Sequence, residues 1–473
     1  MMKRNQQKTP LLDALKQFAK RDPISFHVPG HKNGELFPPL AREYYQSILP
    51  LDMTELSGLD DLHAPHDVIK DAQDLAADYF GAEQTYFLVG GSTAGNMAMI
   101  LAACTAEEKI IVQRNSHKSI FNSLELGGAR PVFVAPEFDR KVNRYTAPDF
   151  NTFKEAIEQH PDAKAAVLTY PDYFGQTFNI KEMIDLAHEY NIPVLVDEAH
   201  GVHFSTNDNF PASSLDLGAD VVVQSAHKMA PAMTMGSLLH MNSSRVNSNR
   251  VTHYLQMLQS SSPSYPIMAS LDIARYFLAS LSQDDVKAVM NSVSRIIAIL
   301  DEKDAWQVLP TDDPLKITLQ MQQGISAHEV YSLFEKEAIY PELATHDQIL
   351  LIHGLTPFQY DKQLQNGIMR VKEQLKNVQN HATIETGNLF TKQIQELVMP
   401  YQTMHHRPAR QVPLNQSAGC IAAEAITPYP PGIPFILKGE RITDTHISII
   451  KQLIHQGATI QHDDVTQRVS VFI

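Results

Sequence analysis

Leu11, Leu12, Leu15 and Phe18 recur at helical spacing behind Thr9-Pro10, a capping residue followed by proline at the first helical position, and predict a short amphipathic helix. From Asp71 the same period returns in Ala72, Leu75, Ala76 and Tyr79, and Gly81 stops it. The pattern then changes. Thr85 to Val89 is a run without polar alternation, and runs of the same kind follow at 109–113, 132–135, 165–169, 193–196 and 219–223. Helical stretches over 150–159 and 180–190 separate some of them, and a small-residue helix runs through Ala103. Apolar strands alternating with helices predict an α/β fold whose mostly parallel central sheet carries helices on both faces. After a helical stretch from Ile267 to about Leu300, segments such as Leu315–Met321 and Ile349–Ile352 predict a smaller C-terminal α+β domain. The organisation expected is an N-terminal helix and loop segment over 1–50, a large domain over 51–300 and a C-terminal domain over 301–473.

Size and charge narrow the partners. A chain of 473 residues with 43% apolar residues can fill two or three domains. A net charge of -14 argues against nucleic acid or an anionic membrane as the main partner. It mildly favours a cationic substrate, although solubility accounts for it equally. Cys104 and Cys420 are the only cysteines, so no disulfide framework is implied. No apolar run approaches the roughly 20 residues of a membrane span, and the N-terminus has no signal-like apolar core. A cytoplasmic protein is expected.

The chemistry collects where strands end. Gly90-Gly91-Ser92-Thr93-Ala94-Gly95-Asn96 joins a strand to a helix, and the free N–H groups and dipole of that helix end make an anion cradle. It is neither Gly-x-Gly-x-x-Gly nor a Walker motif, which demotes a dinucleotide or ATP. Lys228 follows the strand 219–223 and is a candidate Schiff-base nucleophile. Asp197 stands at the tip of the preceding strand, 228 − 197 = 31 positions earlier, a spacing that fits one crossover unit. His117, after the strand 109–113, either stacks on an aromatic cofactor or caps the helix beginning near Ser119; the residues favour neither. Asp197, His200 and His203 also form a possible metal set, which keeps a zinc hydrolase in competition. That reading explains neither the cradle nor Lys228. Pyridoxal 5'-phosphate explains all of them: its aldehyde needs a lysine, its ring nitrogen a carboxylate, its face a flat neighbour, and its phosphate hydroxyls and N–H groups. Two further loops contain histidines. Phe26–Gly34 reads as turns, and Leu59–His66, with Asp60 and Asp61, as a solvated or interface loop.

At these residues the chain closely resembles the ornithine/lysine/arginine decarboxylase family, in the aspartate-aminotransferase-like (type I) fold of pyridoxal-phosphate enzymes. The matching segments are 26–32, 58–63, 91–96, 115–119, 197–203, 224–228, 262–266 and 428–434, in family order across nearly the whole chain. The resemblance implies that Lys228 carries the cofactor, Asp197 pairs with its ring nitrogen and His117 stacks on its face. It implies that Ser92, Thr93, Ser225 and His227 hold the phosphate, and that His200 lies near the phenolic oxygen. It also implies a homodimer with active sites at the interface, the loop of Ser262 reaching the other copy's phosphate, and a form without an N-terminal wing domain. Glu424 is placed to pair with a substrate's distal ammonium or guanidinium; the plain alternative is an exposed helical glutamate. Three departures bear on the substrate: Met235 where a Gln is expected, Cys420 for an Arg, and Asp172 for a Thr. The implied reaction is decarboxylation of a basic L-amino acid, arginine or lysine first and ornithine next, to a polyamine precursor, without a metal. An aminotransferase or aldolase on the same fold, or a catalytically silent binding relative, are the rivals.

Overall fold

The computed structural model describes residues 4–301, 304–375, 390, 392–429, 433–455, 459–460, 462, 464–465 and 467–473. Pro430, Pro431 and Gly432 of the Pro-rich stretch thus lie outside the described residues. The strands used below are, in chain order, β1 (Gln84–Leu88), β2 (Lys109–Gln113), β3 (Arg130–Val134), β4 (Ala166–Thr169), β5 (Val194–Asp197), β6 (Val221–Gln224), β7 (Ser237–Met241), β8 (Trp306–Leu309), β9 (Lys316–Met321), β10 (Leu343–Ala344), β11 (Gln348–Ile352) and β12 (Ile394–Glu396). The helices are α1 (Pro10–Lys20), α2 (Val68–Phe80), α3 (Gly91–Ala103), α4 (Lys118–Gly127), α5 (Tyr265–Ser280) and α6 (Gln283–Leu300).

The chain divides into two compact units, Met1–Ala103 with Ala187–Gln283, and Cys104–Leu186 with Asp284–Ile473. In the first, strands run in the order β1-β7-β6-β5. β5 and β6 are parallel, with Asp197 opposite Val223, while β7 is antiparallel to both β6 and β1. β6 and β7 are buried along their whole length, and in β6 this leaves the unbroken apolar run Val221–Val223. α3 lies close over this sheet. A Cβ on Gly95 would come within 2.7 Å of Leu88 Cδ1 and 2.9 Å of Val223 Cγ1, so only glycine permits the approach. α2 ends as expected at Gly81, whose φ of 73° is left-handed.

In the second unit, β4, β2 and β3 are parallel neighbours and β12 adds an antiparallel edge to β3. A separate antiparallel sheet, β8-β9-β11-β10, packs Leu319, Ile349 and Trp306 with Phe334 into its own core. A further apolar cluster gathers Val412, Ile426, Ile436, Ile450 and Val471 near the C-terminus. The helical stretch expected over 267–300 is two helices, α5 and α6, the first capped by the Ser264 hydroxyl.

Candidate active site

β6 delivers Lys228 directly. Ser225 leaves the strand in extended geometry and Ala226–Met229 forms a single helical turn, in which the Lys228 N–H donates to the Ser225 carbonyl at 3.1 Å. The Lys228 amine lies 2.9 Å from His200 Nε2, a contact between the loops that leave β6 and β5. The backbone N–H and Nδ1 of His227 both lie on the Gly236 carbonyl, at 3.1 and 3.0 Å.

Asp197, the last residue of β5, is buried. Its Oδ2 accepts from the Asn96 side-chain amide at 2.8 Å and its Oδ1 from the Ala199 N–H at 3.2 Å. Asn96 stands on the second turn of α3, so the helix that opens with the Gly-rich turn also grips the carboxylate. Sequence reasoning did not single out Asn96, although it closes the very segment read as an anion cradle.

Ser92 and Thr93 occupy the first turn of α3, where N–H groups have no intrahelical acceptor. Gly91 takes φ 74° and donates to the Met235 carbonyl at 3.0 Å. Met235, one of the departures, is itself at φ 76°, a conformation that costs a side-chain-bearing residue and is held here by its contact with the cradle. Ser225 Oγ is fully buried and has no hydrogen-bond partner among the described residues. A buried hydroxyl left open beside a helix N-terminus matches the donor set that a phosphate monoester requires. Within the first unit the Lys228 amine meets His200, Asp197 is held by the helix whose first turn carries Ser92 and Thr93, and Ser225 and His227 stand at the same strand end as Lys228.

Ser262 is exposed and its hydroxyl bonds Ser260 Oγ at 3.3 Å rather than a member of that group. Within the loop 59–66, Asp60 is buried rather than solvated. Burial would raise its pKa, but backbone N–H groups of Asp67, Asp61, His66 and Lys70 on its carboxylate outweigh this and hold it below the ordinary value. Asp60 thereby closes the N-terminus of α2. His203 packs edge-on between Phe204 and Phe210, 4.8 Å from each ring. Among the described residues no group of three or more His, Cys, Asp or Glu is placed to hold a metal.

The remaining candidates are in the second unit. His117 is the N-cap of α4, its Nδ1 accepting from the Ser119 N–H at 3.2 Å, so the capping alternative is realised and the ring is oriented by it. Glu424 Oε1 accepts from the Ser470 N–H at 2.6 Å and from His462 Nε2 at 3.1 Å, leaving the carboxylate partly exposed. Asp172 is partly buried against Arg144 at 3.3 Å; desolvation raises its pKa against the pull of that guanidinium. Cys420 is partly buried beside the C-terminal apolar cluster. Sequence reasoning also passed over Arg114, just after β2, whose guanidinium bonds Glu440 at 2.7 Å and the carbonyls of Pro434 and Phe435.

Residues 9–360 match the model of the Orn/Lys/Arg decarboxylase major domain, and residues 383–462 match that of the family's C-terminal domain. The chain is 44% identical to an uncharacterized Bacillus subtilis protein, YaaO, over 96% of each. It is 35% identical to the arginine decarboxylase of Bacillus subtilis, over 97% of this chain and 96% of that protein. The solved constitutive lysine decarboxylase of Escherichia coli superposes with a TM-score of 0.77 at 18% identity, over 99% of this chain and 82% of that one. The fold is the type I α/β fold expected from the sequence.

Proposed function

The chain belongs to the Orn/Lys/Arg decarboxylase family and is a decarboxylase, and from that premise we propose that it removes the α-carboxyl group of a basic L-amino acid with pyridoxal 5'-phosphate anchored on Lys228. The observation that carries this reading is the pairing of the two loops at the ends of β5 and β6: a lysine amine on His200, beside a buried carboxylate gripped by Asn96. Arginine is the first substrate we assign, because relatives named arginine decarboxylases are 33–35% identical while a lysine decarboxylase of Pseudomonas aeruginosa is 25% identical. Lysine and then ornithine follow. When bound, the cofactor supplies a conjugated pyridinium ring that takes up the electron pair left at Cα as carbon dioxide departs.

The chain's own residues divide the remaining work. Asp197, with Asn96 and the Ala199 N–H on its two oxygens, offers a fixed negative charge to the proton of a ring nitrogen. Ser225, His227 and the first turn of α3 with Ser92 and Thr93 supply the phosphate grip. His200 exchanges a proton with the Lys228 amine, which keeps that amine available first as a nucleophile and then as a donor to Cα. We assign His117 to the ring face and Glu424 to the distal cation of the substrate. A homodimer, with the Ser262 loop of one copy at the phosphate of the other, a cytoplasmic location and a role in polyamine formation belong to the same reading.

The test is carbon dioxide release from arginine, lysine and ornithine by the purified protein with added pyridoxal phosphate. Release from one of them, absent in Lys228→Ala, is the expected result. A keto-acid product with no carbon dioxide would instead place the chain among amine-transfer enzymes.

A further inference from the structure

Directly after Asp197 stands a carboxylate that the reaction does not use. Glu198 is fully buried, and four neutral donors converge on it: Ser213 Oγ at 2.8 Å, the Ser214 N–H at 2.6 Å, Ser214 Oγ at 2.5 Å and the Gln224 side-chain amide at 2.6 Å. Gln224 is the last residue of β6, four before Lys228. Its amide oxygen faces His240 Nε2 at 3.1 Å, and His240 Nδ1 faces Thr85 Oγ1 at 2.8 Å. The turn after β5 closes tightly on this side chain, since a Cβ on Gly201 would sit 2.6 Å from Glu198 Cγ.

The directions of these bonds are interdependent. An ionised Glu198 only accepts, so Gln224 must present its NH2 to it and its oxygen to His240. His240 then carries its single proton on Nε2 and accepts from Thr85 at Nδ1. Burial pulls the His240 pKa down to about 3, so the ring stays neutral. If Glu198 takes a proton from solvent, its new O–H needs an acceptor. Turning the Gln224 amide over provides one, and its NH2 then faces Nε2. The imidazole must in turn hold its one proton on Nδ1, donating to Thr85. No proton is created or lost in the chain beyond the one taken up by Glu198.

We propose that Glu198 is a positioning residue whose charge state, passed through Gln224, sets the proton arrangement of His240 and clamps together the strand ends bearing Asp197 and Lys228. Burial raises the Glu198 pKa to about 7, so both arrangements fall within an accessible range. The titratable groups around it among the described residues are Asp197 beside it, His200 and His203 in the following turn, and His240 beyond Gln224.

The functional half of this inference rests on the assignment of Lys228 and Asp197 to the cofactor, and the experiment keeps the two apart. Full-length protein labelled with 15N-histidine, the His240 signal being identified by its loss in His240→Gln, reports the tautomer without any cofactor. At pH 8 the wild type should show the Nε2–H form and Glu198→Gln the Nδ1–H form, because the new amide forces Gln224 over. An unchanged tautomer in Glu198→Gln overturns the proposal. Should that variant not fold, the wild type itself must exchange tautomers between pH 5.5 and 8.5, and a constant tautomer across that range overturns it equally. Absorbance titration with pyridoxal phosphate gives the second readout. Glu198→Gln should bind about 10-fold more weakly than wild type at pH 8, the effect of one charge-assisted hydrogen bond. That gap should close by pH 6; a gap independent of pH contradicts the clamp. Wild type that binds no pyridoxal phosphate would sink the proposed function alone, leaving the tautomer to judge Glu198.

Discussion

Replacing Asn96 by alanine tests how the ring-nitrogen carboxylate is held. In the folded chain the Asn96 amide donates to Asp197 Oδ2 at 2.8 Å, and the Ala199 N–H donates to the opposite oxygen at 3.2 Å. Asn96 is buried, so water does not freely replace it. A hydrogen bond to an ionised group contributes about 1.5–3 kcal/mol, which at about 1.36 kcal/mol per tenfold is about 10- to 160-fold. Asn96→Ala should therefore weaken pyridoxal phosphate binding by about that factor and lower carbon dioxide release at saturating substrate. Asn96→Asp sharpens the test. It keeps the shape but sets two carboxylates at hydrogen-bond distance, where both cannot stay ionised, so the variant should fall further below wild type as pH rises. The assays are a visible-absorbance titration with the cofactor and carbon dioxide release at three pH values. Binding and turnover within twofold of wild type in both variants would refute the role given to the Asn96–Asp197 pair.

Other perturbations follow from single contacts. Gly95→Ala drives a methyl into Leu88 and Val223 and should cost about 1–3 kcal/mol of stability, read as a lower denaturation midpoint with the cofactor absent. Arg114→Met leaves Glu440 buried without its cation and should cost about 3–5 kcal/mol, most of it recovered in the double variant Arg114→Met/Glu440→Leu; thermal unfolding of the set decides. The pKa of Asp60 is depressed in the folded chain, so its stabilising effect is present above the ordinary aspartate value and fades as pH falls through the folded one. Asp60→Asn should accordingly lose stability at pH 7 and converge with wild type below pH 4, in melts across that range. Glu424→Gln should raise KM for the basic substrate more than it lowers kcat, measured by steady-state carbon dioxide release.

What the sequence disclosed follows from what is local in it. Strand runs such as 109–113 and 219–223, the Gly81 stop and the Gly-rich opening of α3 are legible because their causes lie within a few residues. Lys228 and Asp197 were legible because strand ends in an α/β sheet converge. β12 was not, since three residues carry too little periodicity, and the antiparallel β7 was hidden behind a methionine-rich turn with a polar His240 inside it. Side-chain partners far apart in the chain were also invisible. Nothing near Glu198 announces Gln224, and Arg114 meets Glu440 across 326 positions. Asp60 reads as a surface acid in a loop of acids and histidines. Only the fold shows its carboxylate turned onto the backbone of the next helix.

Reduction of the pyridoxal-phosphate-treated protein with borohydride, followed by peptide mass mapping, bears most directly on the central claim. Our account predicts a single stable pyridoxyl label on the peptide containing Lys228. A label on another lysine, or none, would contradict it.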